Sequence, residues 1–216
     1  MKKYIFLVVG ALIVFALDQW TKMWAVEALV GSFDAINYAE DGRVYIQAHR
    51  SIPIFEGWWH HRLVGNTGAA FGIFSSLPQG LRIPFFFVIT VIAISMMTFL
   101  YRSAVHQPVL RVAITLILGG AVGNLYDRLQ HSFVIDFIDW FIPCTQEGSI
   151  QRQVIDFFAP CRGLNHHWPT FNVADVAISI GIGLFIIDAL FFAKKAEERM
   201  AREAENQGST SDAPAN

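Results

Sequence analysis

Charge is scarce in this chain. Of 216 residues, 16% are Asp, Glu, Lys or Arg, while 54% are hydrophobic. A soluble domain carries about a quarter charged residues, so the composition argues for an integral membrane protein of one domain. Basic clusters are absent, which argues against a nucleic-acid partner, and a formal net charge of -2 says nothing further about partners. Cysteine is rare as well. Cys144 and Cys161 have no Cys-x-x-Cys spacing, so a metal reading of them is weak. If their stretch lies outside the cytoplasm, a disulfide is open to them, and the residues leave the pairing undecided. No repeat of domain size occurs, although VIDF appears twice, at Val134–Phe137 and Val154–Phe157.

What the chain has instead is long apolar runs. Met1–Lys3 is a short basic start, followed by the uncharged Tyr4–Leu17. That pattern fits a signal peptide, but no small-residue cleavage site follows and the apolar character runs on through Val26. An uncleaved first span over about 4–28 is expected. Three more spans are read at about 83–101, 112–129 and 171–193. Between them lie an outer module over about 30–82, with short strands and the Trp pair of EGWWHHRLV, and an outer loop over about 131–170. Charges at helical spacing extend the last helix to about Arg202, which makes residues 1–202 one membrane domain, and 203–216 reads as a disordered tail.

Orientation follows from the flanking cations. Lys2, Lys3, Arg102, Arg111, Lys194, Lys195, Arg199 and Arg202 fall on one side of a four-span layout. The other side has Arg43, Arg50, Arg62, Arg82, Arg152 and Arg162 in longer loops, where charge counts less. Both termini are therefore expected in the cytoplasm. Asp18, Asn66, Asp127, Asp136 and Asp175 then gather at the outer interface from every part of the chain. Carboxylates at the end of an apolar run are paired, wet or functional.

The spacings suggest chemistry. Asp18 and Lys22 stand at i, i+4, as an ion pair or as an orienting pair at the rim of a site. Asn124, Asp127 and Arg128 share a helix face, and Arg128 beside Asp127 suggests a structural ion pair. Asn172 reads as a helix cap and Asp175 lies one turn in. Should Asp175 face a second carboxylate, one proton is shared between the two. Aspartic proteases use that arrangement: one carboxylate activates water and its protonated partner polarises the peptide carbonyl. Asn66 and its small neighbours in GNTGAAFGIF fit either a tight turn or a binding loop.

Five stretches in this order carry a resemblance: DQWTK (18–22), NTGAAFG (66–72), GGAVGNLYDR (119–128), VIDFID (134–139) and FNVAD (171–175). Together they resemble the lipoprotein signal peptidase (type II signal peptidase) family. The resemblance implies an all-α membrane protein: a four-helix bundle with a small extracytoplasmic β-cradle, in the bacterial inner membrane with its active site at the periplasmic face. It further implies an aspartic endopeptidase that cuts diacylglyceryl-modified prolipoproteins before the lipid-modified cysteine, without metal or other cofactor. The partners implied are those substrates and membrane lipids, and a monomer is expected. Carried over by position, the catalytic pair is Asp136 and Asp175. Asp18, Lys22, Asn66, Gly68, Asn124, Asp127, Arg128, Asn172 and Ala174 would support it or touch substrate.

The chain departs from the family in two insertions, at about 32–50 and 143–165. Asp136 keeps the family's separation from Asp127, whereas Asp156 of the second VIDF keeps the separation from Asp175. Asp136 is preferred, because VIDFID retains its second Asp and an insertion outside the membrane leaves the spans intact. His60–His61 and His166–His167 are adjacent pairs whose side chains diverge, which disfavours zinc. The small residues Gly119, Gly120, Ala121, Gly123, Gly181 and Gly183 suggest close approach of the third and fourth spans. The competing functions are a proton- or cation-coupled transporter, which needs polar groups at mid-span, and a non-catalytic membrane scaffold.

Overall fold

The structure is a computed structural model. It describes residues 2–38, 44–46, 50–68, 74, 78–104, 107–144, 161–162 and 165–191. The expected extension of the last helix, the tail and Asp156 lie outside the described residues.

In lipid every backbone N–H and C=O must be paired within its own segment, so long uncharged runs become helices. Helices α1 (Lys2–Leu29), α2 (Gln79–Ser103) and α3 (Pro108–His131) satisfy this, as does α4 (Val173–Phe191). All four are long and apolar enough to cross a membrane. Helix α4 starts two residues later than the sequence suggests. Phe171 is held in a β-bridge with Ile138, and Asn172 caps the helix.

Helix α3 is the hub of the bundle. Gly119 lies under Val14 and Ala11 of α1, and Gly123 lies against Asp18, so α1 and α3 run parallel with small residues at every fourth position. On its other side Gly120 faces Ala174 and Ile178, and Gly181 of α4 faces Ala113 and Ile117, an antiparallel contact. Tyr101 meets Arg111 at one end of α2, and Phe86 meets Arg128 at the other, so α2 is antiparallel to α3 too. The glycines therefore divide their work. Gly120 and Gly181 bring α3 to α4 as expected, Gly119 serves α1, Gly123 faces both α1 and Ala174 of α4, and among the described residues Gly183 meets nothing within 4 Å.

At one end of the bundle the chain forms strands. β1 (Ile36–Tyr38) and β2 (Val44–Ile46) make a separate hairpin, while β3 (Ser51–Phe55), β4 (Trp59–Asn66), β5 (Val134–Pro143), β6 (Cys161–Arg162) and β7 (Asn165–His167) form an antiparallel sheet of order β3-β4-β5-β7-β6. β2 lies so close over β4 that a side chain at Gly65 would meet Val44. The all-α class thus describes the bundle alone. Both stretches read as outer segments contribute to one sheet. Its inner face (Leu63, Ile135, Phe137, Ile138) packs with Ala25, Val26 and Leu29 at the end of α1 in a shared core. That core fixes the sheet to the helix ends, and the polar side chains gather at this junction.

Candidate active site

The junction is built around Lys22. Its ammonium is 1% exposed and lies 2.8 Å from Asp18 Oδ2 and 2.8 Å from Asp127 Oδ2. Such a group is tolerable only when its charge and its protons are matched. Both acids are fully buried and complete their bonding locally. Gln19 Nε2 donates to Asp127 at 2.9 Å and to Asp18 at 3.1 Å. The backbone N–H of Ala174 donates to Asp18 Oδ1 at 2.9 Å, and that of Ile135 to Asp127 Oδ2 at 3.1 Å. Ala174 and Ile135 are the residues just before Asp175 and Asp136. Each candidate catalytic carboxylate is therefore set by its neighbour's hydrogen bond to a carboxylate that Lys22 neutralises.

Three asparagines then orient the pair. An amide can point either its oxygen or its NH2 at a carboxylate, and only the NH2 is attractive. In each case a group that can only donate holds the oxygen. Lys22 Nζ donates to Asn124 Oδ1 at 3.1 Å, which turns Asn124 Nδ2 onto Asp175 Oδ1 at 2.8 Å. The Gly68 N–H donates to Asn66 Oδ1 at 2.9 Å, which turns Asn66 Nδ2 onto Asp136 Oδ2 at 3.0 Å. The Asp175 N–H donates to Asn172 Oδ1 at 3.0 Å, and Asn172 Nδ2 reaches Asp136 Oδ1 at 2.7 Å. Asn172 and Asp175 also form a reciprocal cap, since the Asn172 N–H donates to Asp175 Oδ2 at 3.2 Å.

All four carboxylate oxygens of Asp136 and Asp175 thus accept a hydrogen bond, and Asn172 bonds to both residues. Asp136 is 1% exposed, while Asp175 is only partly buried. Burial first, and then the neighbouring Asp175 charge, hold the Asp136 carboxyl well above the usual carboxylate range; the bonds from Asn66 and Asn172 and the Lys22 charge oppose this. A buried acid that keeps its proton beside a wetter carboxylate is an arrangement able to activate water against a carbonyl.

All the residues expected at the site lie at this junction, with one partner misassigned. Arg128 does not pair with Asp127, because successive residues on a helix point about 100° apart; Lys22 takes that role. Arg128 instead donates from Nη2 to Gly68 O at 2.6 Å and from Nη1 to Asn124 O at 3.1 Å, with its guanidinium 4.2 Å above the Phe86 ring. It ties the end of β4 to α2 and α3. Ala174 contributes its N–H and its small size, since it packs against Gly120 and Gly123.

A second buried cluster, centred on Asp139, has no counterpart in the expectations drawn from the sequence. Asp139 is fully buried and lies 2.7 Å from His60 Nε2, 3.1 Å from Arg62 Nε and 3.1 Å from His167 Nδ1. Strand alternation would put Asp136 and Asp139 on opposite faces. A bulge prevents this: the N–H groups of Phe137 and Ile138 both donate to Phe171 O, at 3.1 and 2.9 Å. Both side chains then enter the inner core, and the two Asp share the other face. Opposite them on β4, His60 and Arg62 touch Asp139 and Asn66 touches Asp136. The histidine pairs do diverge, but His60 and His167 meet at Asp139.

Cys144 and Cys161 are joined in a disulfide, with Cα atoms 6.0 Å apart. Among the described residues only Cys144, Cys161 and His166 bring three metal-donor atoms within 4.8 Å of one another. The bonded sulfurs are not thiolates, so that set does not fit a metal in this form.

Comparison with known proteins places this geometry. Residues 10–191 match the family described as Signal peptidase (SPase) II. The lipoprotein signal peptidase of Alteromonas mediterranea is 33% identical over 208 residues, covering 96% of this chain and 92% of that protein. That of Syntrophus aciditrophicus is 30% identical over 190 residues, covering 88% and 94%. A bacterial membrane enzyme solved by the in meso method at 2.3 Å superposes with a TM-score of 0.60 at 26% identity, covering 88% of this chain and 90% of that one. The matched region takes in α1 from Gly10 onward, the other three helices, the sheet and every residue of the junction, and the chain belongs to the signal peptidase II family.

Proposed function

We propose that this chain is an aspartic endopeptidase that removes the signal peptide from diacylglyceryl-modified prolipoproteins, cutting before the lipid-modified cysteine. Asp136 and Asp175 are its catalytic residues. The observation that carries the reading is the pair's matched hydrogen bonding: each carboxylate oxygen has its own donor, and Asn172 binds both acids. In the reaction Asp175, the more exposed acid, takes a proton from water. The oxygen attacks the scissile carbonyl while the Asp136 proton stabilises the developing oxyanion. The tetrahedral intermediate collapses as Asp175 passes its proton to the leaving amine and Asp136 regains its own.

The sheet lies on the outer side of the bacterial inner membrane in this reading, with both termini in the cytoplasm, and the charge flanks support that placement. The apolar signal peptide then runs toward the spans and the mature segment away from them. Cleavage of a diacylglyceryl-modified prolipoprotein by purified wild type, Asp136→Asn, Asp156→Asn and Asp175→Asn tests it. Asp136→Asn and Asp175→Asn should each lose at least about 10³-fold in kcat while folding normally, and Asp156→Asn should remain active. Active Asp136→Asn beside inactive Asp156→Asn would overturn the dyad as assigned.

A further inference from the structure

The face of the sheet that carries Asp136 continues into a charged group the reaction does not use. β5 leads away from the end of α3, and Asp139 stands three residues beyond Asp136, about 10 Å further along the strand. The chain returning to α4 follows the same course: Phe141 pairs with His167, Trp168 N–H donates to Trp140 O, and Asn172 then reaches Asp136. The Asp139 group is thus a second level, further from the helix ends than the dyad.

Its construction is one-sided. Asp139 is fully buried, while Arg62 is 37% exposed, His60 18% and His167 19%. Arg62 is held through Nε alone, and among the described residues neither Nη nitrogen has a protein partner. The buried carboxylate therefore anchors the guanidinium from behind and leaves its two-pronged edge to solvent. That edge matches a carboxylate in a bidentate geometry. A ligand arriving from solvent meets the positive end of the pair first, and the His60 and His167 imidazoles stand against the same carboxylate.

We propose that Arg62, which shares Asp139 with His60 and His167, is a subsite for an acidic side chain in the mature segment of the substrate. This rests on the peptidase reading above. With the scissile bond at the dyad and the signal peptide running toward the spans, the mature segment runs outward past Asp139. An extended chain covers about 10 Å in three residues, so the subsite receives the second to fourth residue after the lipid-modified cysteine. The acid would ion-pair with Arg62, and a lysine there would be repelled.

The test uses the full-length protein in lipid nanodiscs and diacylglyceryl-modified peptides that differ only by Asp, Ser or Lys at those positions. Wild type should favour Asp over Lys by about fivefold in kcat/KM, the scale of one exposed charge pair, with the difference in KM. In Arg62→Gln the Asp/Lys ratio should fall to about 1, and in Arg62→Glu it should drop below 1. The ratio is measured within each variant, so a lower folded fraction does not disturb it. A wild-type ratio of 1, or a ratio unmoved by both substitutions, overturns the subsite and leaves the peptidase reading standing. No cleavage of any peptide by wild type overturns both.

Discussion

Two regions of this molecule bury carboxylates against cations, and they do so for different ends. Around Lys22 every member is sealed: the ammonium and both acids are at most 1% exposed, and all three ride on α1 and α3, which pack closely at Gly119 and Gly123. Around Asp139 only the acid is sealed, and its partners come from two strands with their outer edges in solvent. A closed network has no capacity left for a ligand, so its value lies in position. It holds Ala174 and Ile135, and through them the dyad. A network closed on one side only is rigid at its base and keeps donors free at its rim.

This contrast predicts unequal costs. Lys22→Met strands two buried carboxylates and should destabilise the protein by about 3–5 kcal/mol, read as loss of folded protein in detergent denaturation. His167→Asn leaves Arg62 on Asp139 and should cost less than about 1 kcal/mol. Equal costs for the two would break the comparison.

The glycines of α3 sharpen it. A methyl group at Gly120 would stand 2.5 Å from the Ala174 carbonyl oxygen, whereas Gly183 has open space. Gly120→Ala should cost about 1–3 kcal/mol by overpacking and lower kcat by moving Asp175. Gly183→Ala should be neutral or stabilise by up to about 1 kcal/mol. Thermal unfolding and turnover of the two variants side by side check this.

The pH dependence is a smaller effect with a definite sign. The Asp136 carboxyl is raised in the folded state, so folded protein keeps a proton that the unfolded chain releases. Stability should therefore fall as pH rises from the ordinary Asp range through the raised value. Asp136→Asn removes this dependence and should gain stability relative to wild type over that interval, while losing turnover as proposed above. Parallel stability–pH curves for wild type and Asp136→Asn would contradict the protonation assigned here.

The least expected effect comes from the staple. Cys144→Ser with Cys161→Ser should change turnover of an uncharged-position substrate by no more than about twofold, because the loosening stays local to β6 and β7. A loss comparable to that of Lys22→Met would mean that β6 and β7 are part of the closed network.

What was legible in the sequence follows the same division. Helix periodicity and span length place Asp18, Lys22, Asn124 and Asp127 at one level, and FNVAD places Asp175 beside them. Each of these relations is local to a helix or set by the membrane. Arg128 is the exception, because residues adjacent in a helical sequence are not adjacent in space. The Asp139 cluster was not legible, since residues 60, 62, 139 and 167 meet through strand register, and the bulge at Phe137–Ile138 reverses the face that alternation assigns. The available signal was VIDFID itself, whose two acids three apart make sense on one face only with an extra residue between them. The disulfide is open in the sequence for the same reason, because Cys144 and Cys161 both lie in an insertion without helical or alternating pattern.

That disulfide also makes the chain its own gauge of sidedness. A pair of thiols 17 residues apart becomes a bond only where the surroundings are oxidising, and the bond lies in the same sheet as Asp136. A shift in electrophoretic mobility between reduced and unreduced samples, taken from growing cells, would report which compartment that sheet occupies, without a tag or a fusion. Followed during synthesis, the same shift would time the moment at which the segment after α3 has folded back onto β5.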